Sequence, residues 1–527
     1  MNLSWTFPYP SRRMPVFARN VVATSQPLAA QAGLQMLARG GNAVDAALAT
    51  AITLTVVEPT SNGIGSDAFA LIWDGRELHG LNGSGRSPLA WSPGRFAGRS
   101  KMPQLGWDAV TVPGAVDAWI SLSRKFGRLP FPDLFESAIR YATDGFLVSP
   151  ITAERWSLAP ARFREFPDLA EAFLIDGRAP GPGEYFRPRG MAGTLRLVAE
   201  TDGESFYRGE LAAKIASHAE RTGGAMTGAD LAGHHSEWVK PLSLNWLGTT
   251  LYELPPNGQG LTVLIALGIL NRHSIENYRV DSVESLHLQI EAMKIAFTCA
   301  KRHIADRAWM AIEPASLLED SLLEELSRTI RMERAAFPAS SIPPDGGTVY
   351  LTAADKDGMM VSYIQSNYHG FGSGIVIPGT GIALQNRGAG FTLEEGHPNC
   401  VDGGKRPYHT IIPAFLMRDG TPLMSFGVMG AHMQAQGHLQ MMLRIIAYGQ
   451  NPQAAADAPR WYLDEESRLS LEPGFGPSIR EGLERLGHRL NPDIPTSVFG
   501  GAQLIYRLPN GYCAASDPRK DGQAVGY

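Results

Sequence analysis

Between Arg328 and Gly347 the chain reads RTIRMERAAFPASSIPPDGG, where three prolines and a closing Gly–Gly forbid regular structure. The next segment has the opposite character. TVYLTAADKDGMMVSYIQS predicts a β-hairpin with arms Thr348 to Ala354 and Met359 to Ser366, joined by an Asp357–Gly358 turn. A linker-like stretch that delivers the chain to the first residue of a strand constrains the fold more than any other feature, because it divides the polypeptide just before Thr348. A threonine hydroxyl is a weak nucleophile without a base beside it, and one solution is a chain cut that makes the threonine N-terminal, so that its own α-amine is the base. A preceding Gly–Gly suits such a cut, since glycine reaches backbone conformations that other residues avoid. On spacing alone, the plainer reading of Thr348 is a turn-to-strand residue.

The rest of the chain reads as mixed α and β. Pro27 to Arg39 predicts one helix, and after Gly40–Gly41 the cap residue Asn42 opens a second, Ala-rich one that VVEP ends. Its apolar stretch, Ala43 to Val57, is too short and too polar for a membrane span and reads as a buried helix. Phe69 to Trp73 and Glu77 to Leu81 predict two strands around an Asp74–Gly75 turn. From about Pro132 to Arg331 the period is mostly helical, with Ser285 to His303 the clearest amphipathic case.

Composition narrows the function classes. A net charge of −5 from 47 basic and 52 acidic residues gives no broad cationic surface, so nucleic acid is not an expected partner. Three scattered cysteines, Cys299, Cys400 and Cys513, support neither a disulfide framework nor a zinc ribbon, and the opening residues lack a secretory h-region. A cytoplasmic protein with no membrane partner is expected.

The sequence resembles the gamma-glutamyltransferase family. GGTVYLTAADKDG, Gly346 to Gly358, is similar to the segment at which that family cuts itself. GGNAVDAALAT (from Gly40), VVEPTSNGIGS (from Val56), VPGAVDAW (from Val112), GKRPYHTIIP (from Gly404), DAPRW (from Asp457) and SDPRKDGQAVGY (from Ser516) resemble the family in the same order. The resemblance implies an α+β fold, the four-layer αββα sandwich of N-terminal-nucleophile hydrolases. It also implies a precursor that divides at Gly347–Thr348 into a large subunit, residues 1–347, and a small one, 348–527. The two would remain together as one catalytic unit and partner each other, and a homo-oligomer of that heterodimer is left open. No cofactor and no metal are implied.

Carried over by position, Thr348 is the implied nucleophile and Ser366 the hydroxyl that steadies it, while Gly430 and Ala431 in GVMGAHMQ supply oxyanion-holding amides. The family's glutamate clamp is replaced: its glutamine and aspartate fall on Arg387 and Gly390, a change of two charge units toward positive that repels an ammonium. The paired serines after KRP fall on His409 and Thr410, the contact asparagine falls on Tyr368 beside Asn367, and the carboxylate-binding arginine falls on Ser84, with Arg86 two positions on. A pocket with arginines and no acid suits a small amide carrying one carboxylate and no amino group. YIQSNYHGFGSGIV, GTGIALQNRGAGF and KRPYHTIIP carry a closer likeness to the oxamate amidohydrolase branch, which implies hydrolysis of oxamate to oxalate and ammonia. A gamma-glutamyl hydrolase or transferase, a glutaryl-type acylase and a non-catalytic binding homologue are the competing expectations. His409, His432 and His438 match no zinc spacing and read as polar residues near the site, GFGSG from Gly370 reads as turns, and Met429, Met433, Met441 and Met442 read as core.

Overall fold

Strand alternation sorts most of the apolar side chains among the described residues into three large buried clusters, and those clusters define the layers. In the computed structural model, which describes residues 12–336, 347–491 and 495–527, the strand Gly347–Ala354 turns Val349, Leu351 and Ala353 to one side and Tyr350 and Ala354 to the other. The first side packs on the helices Pro27–Ala38, Ala43–Val57, Ala115–Phe126 and Glu136–Asp144. The second meets another sheet, through Phe415, Met417, Met429 and Ile505. That other sheet turns Ala414, Leu416, Phe426 and Val428 outward onto the helices Gly260–Leu270, Val283–His303 and Met433–Met442. Helix, sheet, sheet, helix: the architecture is the αββα sandwich of the N-terminal-nucleophile hydrolases.

Each central sheet has seven antiparallel strands. In one the order is Gln523–Gly526, Val21–Thr24, Gly347–Ala354, Met360–Tyr368, Asp67–Trp73, Leu78–Gly83, Glu237–Val239. In the other it is Val16–Ala18, Gly511–Ser516, Gly501–Leu508, Thr421–Met429, Ala414–Arg418, Thr249–Glu253, Leu242–Trp246. Both sheets draw strands from either side of Gly347, so two pieces cut there would remain hydrogen-bonded to each other along several strand edges.

Local sequence chemistry builds the elements that hold the central hairpin. Asn42 caps the helix Ala43–Val57 in a reciprocal box with Asp45, worth about 1 kcal/mol at such positions, and every residue of that helix is buried. The Asp355 carboxylate accepts from the Ala43 N–H (2.9 Å) and from Asp357 and Met359, which ties the hairpin turn to the helix start. Gly358 has φ +97°, open to glycine at no steric cost.

Residues 337–346 of the linker, Gly346 among them, lie outside the described residues; Arg328 to Ala336 carries no regular element, as expected. Two expectations shift. The arms of the two hairpins extend to Asp67–Trp73, Leu78–Gly83 and Met360–Tyr368. The middle third is not uniformly helical: Leu242–Trp246 and Thr249–Glu253 form a hairpin, closed by Leu247 and Gly248 at φ +46° and +72°. Both turn residues being left-handed matches the twist of paired strands, but Leu–Gly lacks the Asn–Gly or Asp–Gly signature by which such turns are read. Met429, Met433, Met441 and Met442 are all buried among apolar neighbours.

Candidate active site

Thr348 is the first residue of its strand to face the second sheet, and it is 2% exposed. The register slips there: Gly347 lies opposite Tyr368, yet Val349 lies opposite Gln365. Such an irregularity re-aims side chains, and here it brings Ser366 under the Gly347–Thr348 peptide. Thr348 Oγ1 donates to Ser366 Oγ (3.1 Å), Ser366 Oγ donates to the Gly347 carbonyl (2.7 Å), and the Tyr368 N–H donates to Ser366 Oγ (2.8 Å). One donor and two lone pairs are all a serine hydroxyl has, and all are used. The peptide carbonyl upstream of Thr348 is thereby polarised by the same group that orients the threonine hydroxyl.

A second element reaches Thr348 from the opposite sheet. Strand Thr421–Met429 passes into helix Met433–Met442 through Gly430 (φ +114°) and Ala431 (φ +48°), and neither N–H has a partner among the described residues. Positive φ at an alanine is a strained choice that a functional turn can require. Two adjacent unpaired amides at the head of a helix are suited to hold an oxyanion. Gln434, on the first turn of that helix, donates to Thr348 Oγ1 (3.4 Å) and accepts from the Ile412 N–H (2.9 Å). Gln259 donates to the carbonyls of Ala431 (2.9 Å) and Thr410 (2.5 Å), pinning the turn. Sequence reading missed both glutamines, although Gln434 closes the GVMGAHMQ segment.

Arg387 is 1% exposed. Its Nη1 donates to Thr410 Oγ1 (2.9 Å), the guanidinium lies 4.7 Å from the Tyr368 ring centre, and Nε and Nη2 have no partner among the described residues. Burial lowers its pKa to about 10, with Asp67 and Tyr368 working against that, so it stays charged at neutral pH. Tyr368 itself sits at φ +77°, and burial pushes its hydroxyl up to about 12. A buried guanidinium with two unused donor groups is the feature a carboxylate would complete.

The other expected site residues separate. His409 faces Asp67, with Nε2 3.0 Å from Oδ2, and both are fully buried. This corrects the expectation of a pocket without an acid: Asp67 acts on Arg387 through its charge, and burial raises its pKa to about 7, opposed by Arg387 and by the Gly114 and Gly85 N–H groups. Asn367 alternates to the face away from Ser366, and its Oδ1 accepts from Ser66 Oγ (2.8 Å), so it is not brought to Thr348. Arg86, 37% exposed, is bound by Asp306 (2.8 Å), Glu237 (3.2 Å) and the Gly404 carbonyl (3.1 Å), and none of the other candidate site residues is among those partners. Its charge is already matched, so it does not resemble Arg387. His438 pairs with Glu253 (2.7 Å), whereas neither ring nitrogen of His432 has a partner among the described residues. Beside Tyr368 and His432 opens a cavity of about 380 Å³.

The Asp67 position predicts a pH effect. Below about pH 7 its carboxyl is protonated and Arg387 meets an anion unopposed; as pH rises through about 7 a competing negative charge forms. The KM for an anionic substrate should climb between about pH 6 and about pH 8, and Asp67→Asn should flatten that climb. A pH-independent wild-type KM would refute this coupling. The same raised pKa gives a stability contribution that is fully present below the unfolded carboxyl value and lost as pH rises through about 7.

Comparison with known proteins gives the family. The gamma-glutamyltranspeptidase family model matches residues 29–527. The Bacillus subtilis glutathione hydrolase-like YwrD proenzyme is 36% identical over 96% of this chain and 98% of its own length. The Klebsiella pneumoniae oxamate amidohydrolase proenzyme is 36% identical over 95% of this chain and 97% of its own. The crystal structure of a cephalosporin acylase from Bacillus halodurans superposes with a TM-score of 0.95 at 47% identity, covering 100% of this chain and 99% of that one. The chain belongs to the gamma-glutamyltranspeptidase family. Its relatives include hydrolase proenzymes, and none of the helices among the described residues is long and apolar enough to cross a membrane.

Proposed function

We propose that this protein cuts itself between Gly347 and Thr348 and then hydrolyses a small amide whose acyl half carries a carboxylate and no ammonium, with oxamate as the compact member of that class. In the first step Thr348 Oγ1 attacks the Gly347 carbonyl that Ser366 polarises, the Gly347–Thr348 C–N bond breaks as the ester forms and so frees the Thr348 α-amine, and water then hydrolyses the ester to release the Gly347 carboxylate and the Thr348 hydroxyl. In turnover that amine takes the proton of the Thr348 hydroxyl as it attacks the amide carbonyl, and the Gly430 and Ala431 amides hold the oxyanion. The C–N bond breaks, ammonia leaves with the proton, and water releases oxalate from the threonine ester.

The observation that carries the substrate class is Arg387, buried beside Tyr368 with Nε and Nη2 unpartnered. A guanidinium fork grips a carboxylate in bidentate fashion and repels the α-ammonium of a glutamyl group. The likeness to the oxamate amidohydrolase proenzyme supports the same choice. A second reading, an acylase acting on a larger side-chain amide, is favoured by the likeness to the cephalosporin acylase structure. Ammonia release from oxamate, measured beside aniline release from gamma-glutamyl anilide, tests the proposal. Oxamate is expected to be the better substrate, and preference for the glutamyl compound would make this a transferase or glutathione hydrolase.

A further inference from the structure

The cavity beside Tyr368 has no task in releasing ammonia. Ammonia is about the size of a water molecule, whose share of liquid volume is about 30 Å³, whereas this cavity holds about 380 Å³ and falls within the range of organic ligand sites. Its wall includes the aromatic side chains of Phe297, Tyr368, Phe391 and Tyr408 and the imidazole of His432, among polar and charged residues. That ring is 3% exposed, lies nearly parallel to Tyr408 (centroids 5.9 Å, 19°) and stands edge-on to Phe297 (6.1 Å, 71°). These contacts fix its plane while leaving both nitrogens without a partner among the described residues. Burial and the nearby Arg387 charge push its pKa down to about 3, so it is neutral and presents one donor and one acceptor. Buried polar atoms are rarely left unsatisfied, and here both nitrogens of one ring are.

Two residues of the cavity wall, Tyr368 and His432, belong to the segments that carry the reacting groups. His432 directly follows Gly430 and Ala431, and the Tyr368 N–H bonds the Ser366 hydroxyl that orients Thr348. Arg387 is not in the wall; it lies under the Tyr368 ring. We propose that this cavity is a subsite for a planar aromatic amine as leaving group, stacked among the aromatic rings, with a hydrogen-bonding substituent paired to neutral His432. The proposal rests on the reading that Thr348 carries an acyl group held through Arg387. When the C–N bond breaks, the departing amine takes the proton that the Thr348 α-amine received from the hydroxyl, and His432 stays neutral throughout.

The test uses the mature protein and the free amines as competitive inhibitors, which removes differences in amide reactivity. Meta-aminobenzamide should inhibit roughly tenfold more tightly than aniline, and His432→Phe should erase that difference. N-phenyl oxamate and its meta-carbamoyl derivative should likewise show lower KM than oxamate. Inhibition is measured against whichever acyl donor the protein cleaves, gamma-glutamyl or glutaryl anilide included, so the subsite can stand even where oxamate fails as a substrate. Should His432→Phe not fold, the wild-type comparison of the two amines decides. Absence of inhibition by both amines, or a KM that falls on lengthening the acyl half from oxamate to glutaramate and not on enlarging the amine, would overturn it.

Discussion

Thr348→Ala protein is expected to remain a single uncut chain with amidase activity reduced by at least about a thousandfold, because one oxygen serves both reactions. The geometry that leads there is local. Thr348 Oγ1 is held by Ser366 at 3.1 Å, and the same Ser366 hydroxyl donates to the carbonyl of Gly347 at 2.7 Å. Removing the threonine oxygen takes away the attacking atom, although Ser366 can still polarise the carbonyl. Denaturing electrophoresis and intact mass should show two pieces for the wild type, the smaller beginning at Thr348, and one piece for the variant. A fully active wild-type chain that is never cut would end this account. The cut also matters for the base, since none of His409, His432 and His438 is available to replace the α-amine. His409 is turned to Asp67, His438 to Glu253, and His432 is held neutral well below the physiological range. Selective acylation of the mature Thr348 amine should therefore abolish turnover, and an unchanged rate would mean that another group is the base.

Arg387→Ala is expected to lower kcat/KM for oxamate roughly tenfold to a hundredfold, equivalent to about 1.5 to 3 kcal/mol for a hydrogen bond to a charged group, while the precursor still matures. The carboxylate would lose a buried guanidinium beside the Thr410 hydroxyl whose Nε and Nη2 have no partner among the described residues. Arg387→Lys should recover part of the loss, because it restores the charge without the planar fork. Arg86→Ala is the control for position: its guanidinium is already matched by Asp306 and Glu237, so its removal should act on the packing of those acids. Steady-state kinetics of the three variants on oxamate decides between them. A larger loss for Arg86→Ala than for Arg387→Ala would move the carboxylate to the other arginine.

What could be read from the sequence is what short-range chemistry governs. The Asp357–Gly358 turn, the alternation on either side of it, the Asn42 cap and the amphipathic run to His303 each depend on residues within a few positions of one another, and each is present with its ends moved by a residue or two. The motifs around Thr348 and Gly430 identify the family for the same reason, since they are contiguous in the chain. Only the tertiary structure decided which of two similar arginines is buried with unused donors and which is neutralised. That difference lies in partners brought from remote segments: Thr410 and Asp67 for Arg387, Asp306 and Glu237 for Arg86. Asp67, two residues before the expected strand start at Phe69, carries no local signal of its role and faces both His409 and the charge of Arg387, because the order of strands across the sheet and the spacing between the two sheets set that meeting. Local preferences fix which way a side chain alternates along its own strand; what it meets there is fixed by long-range packing, on which desolvation and charge pairing depend.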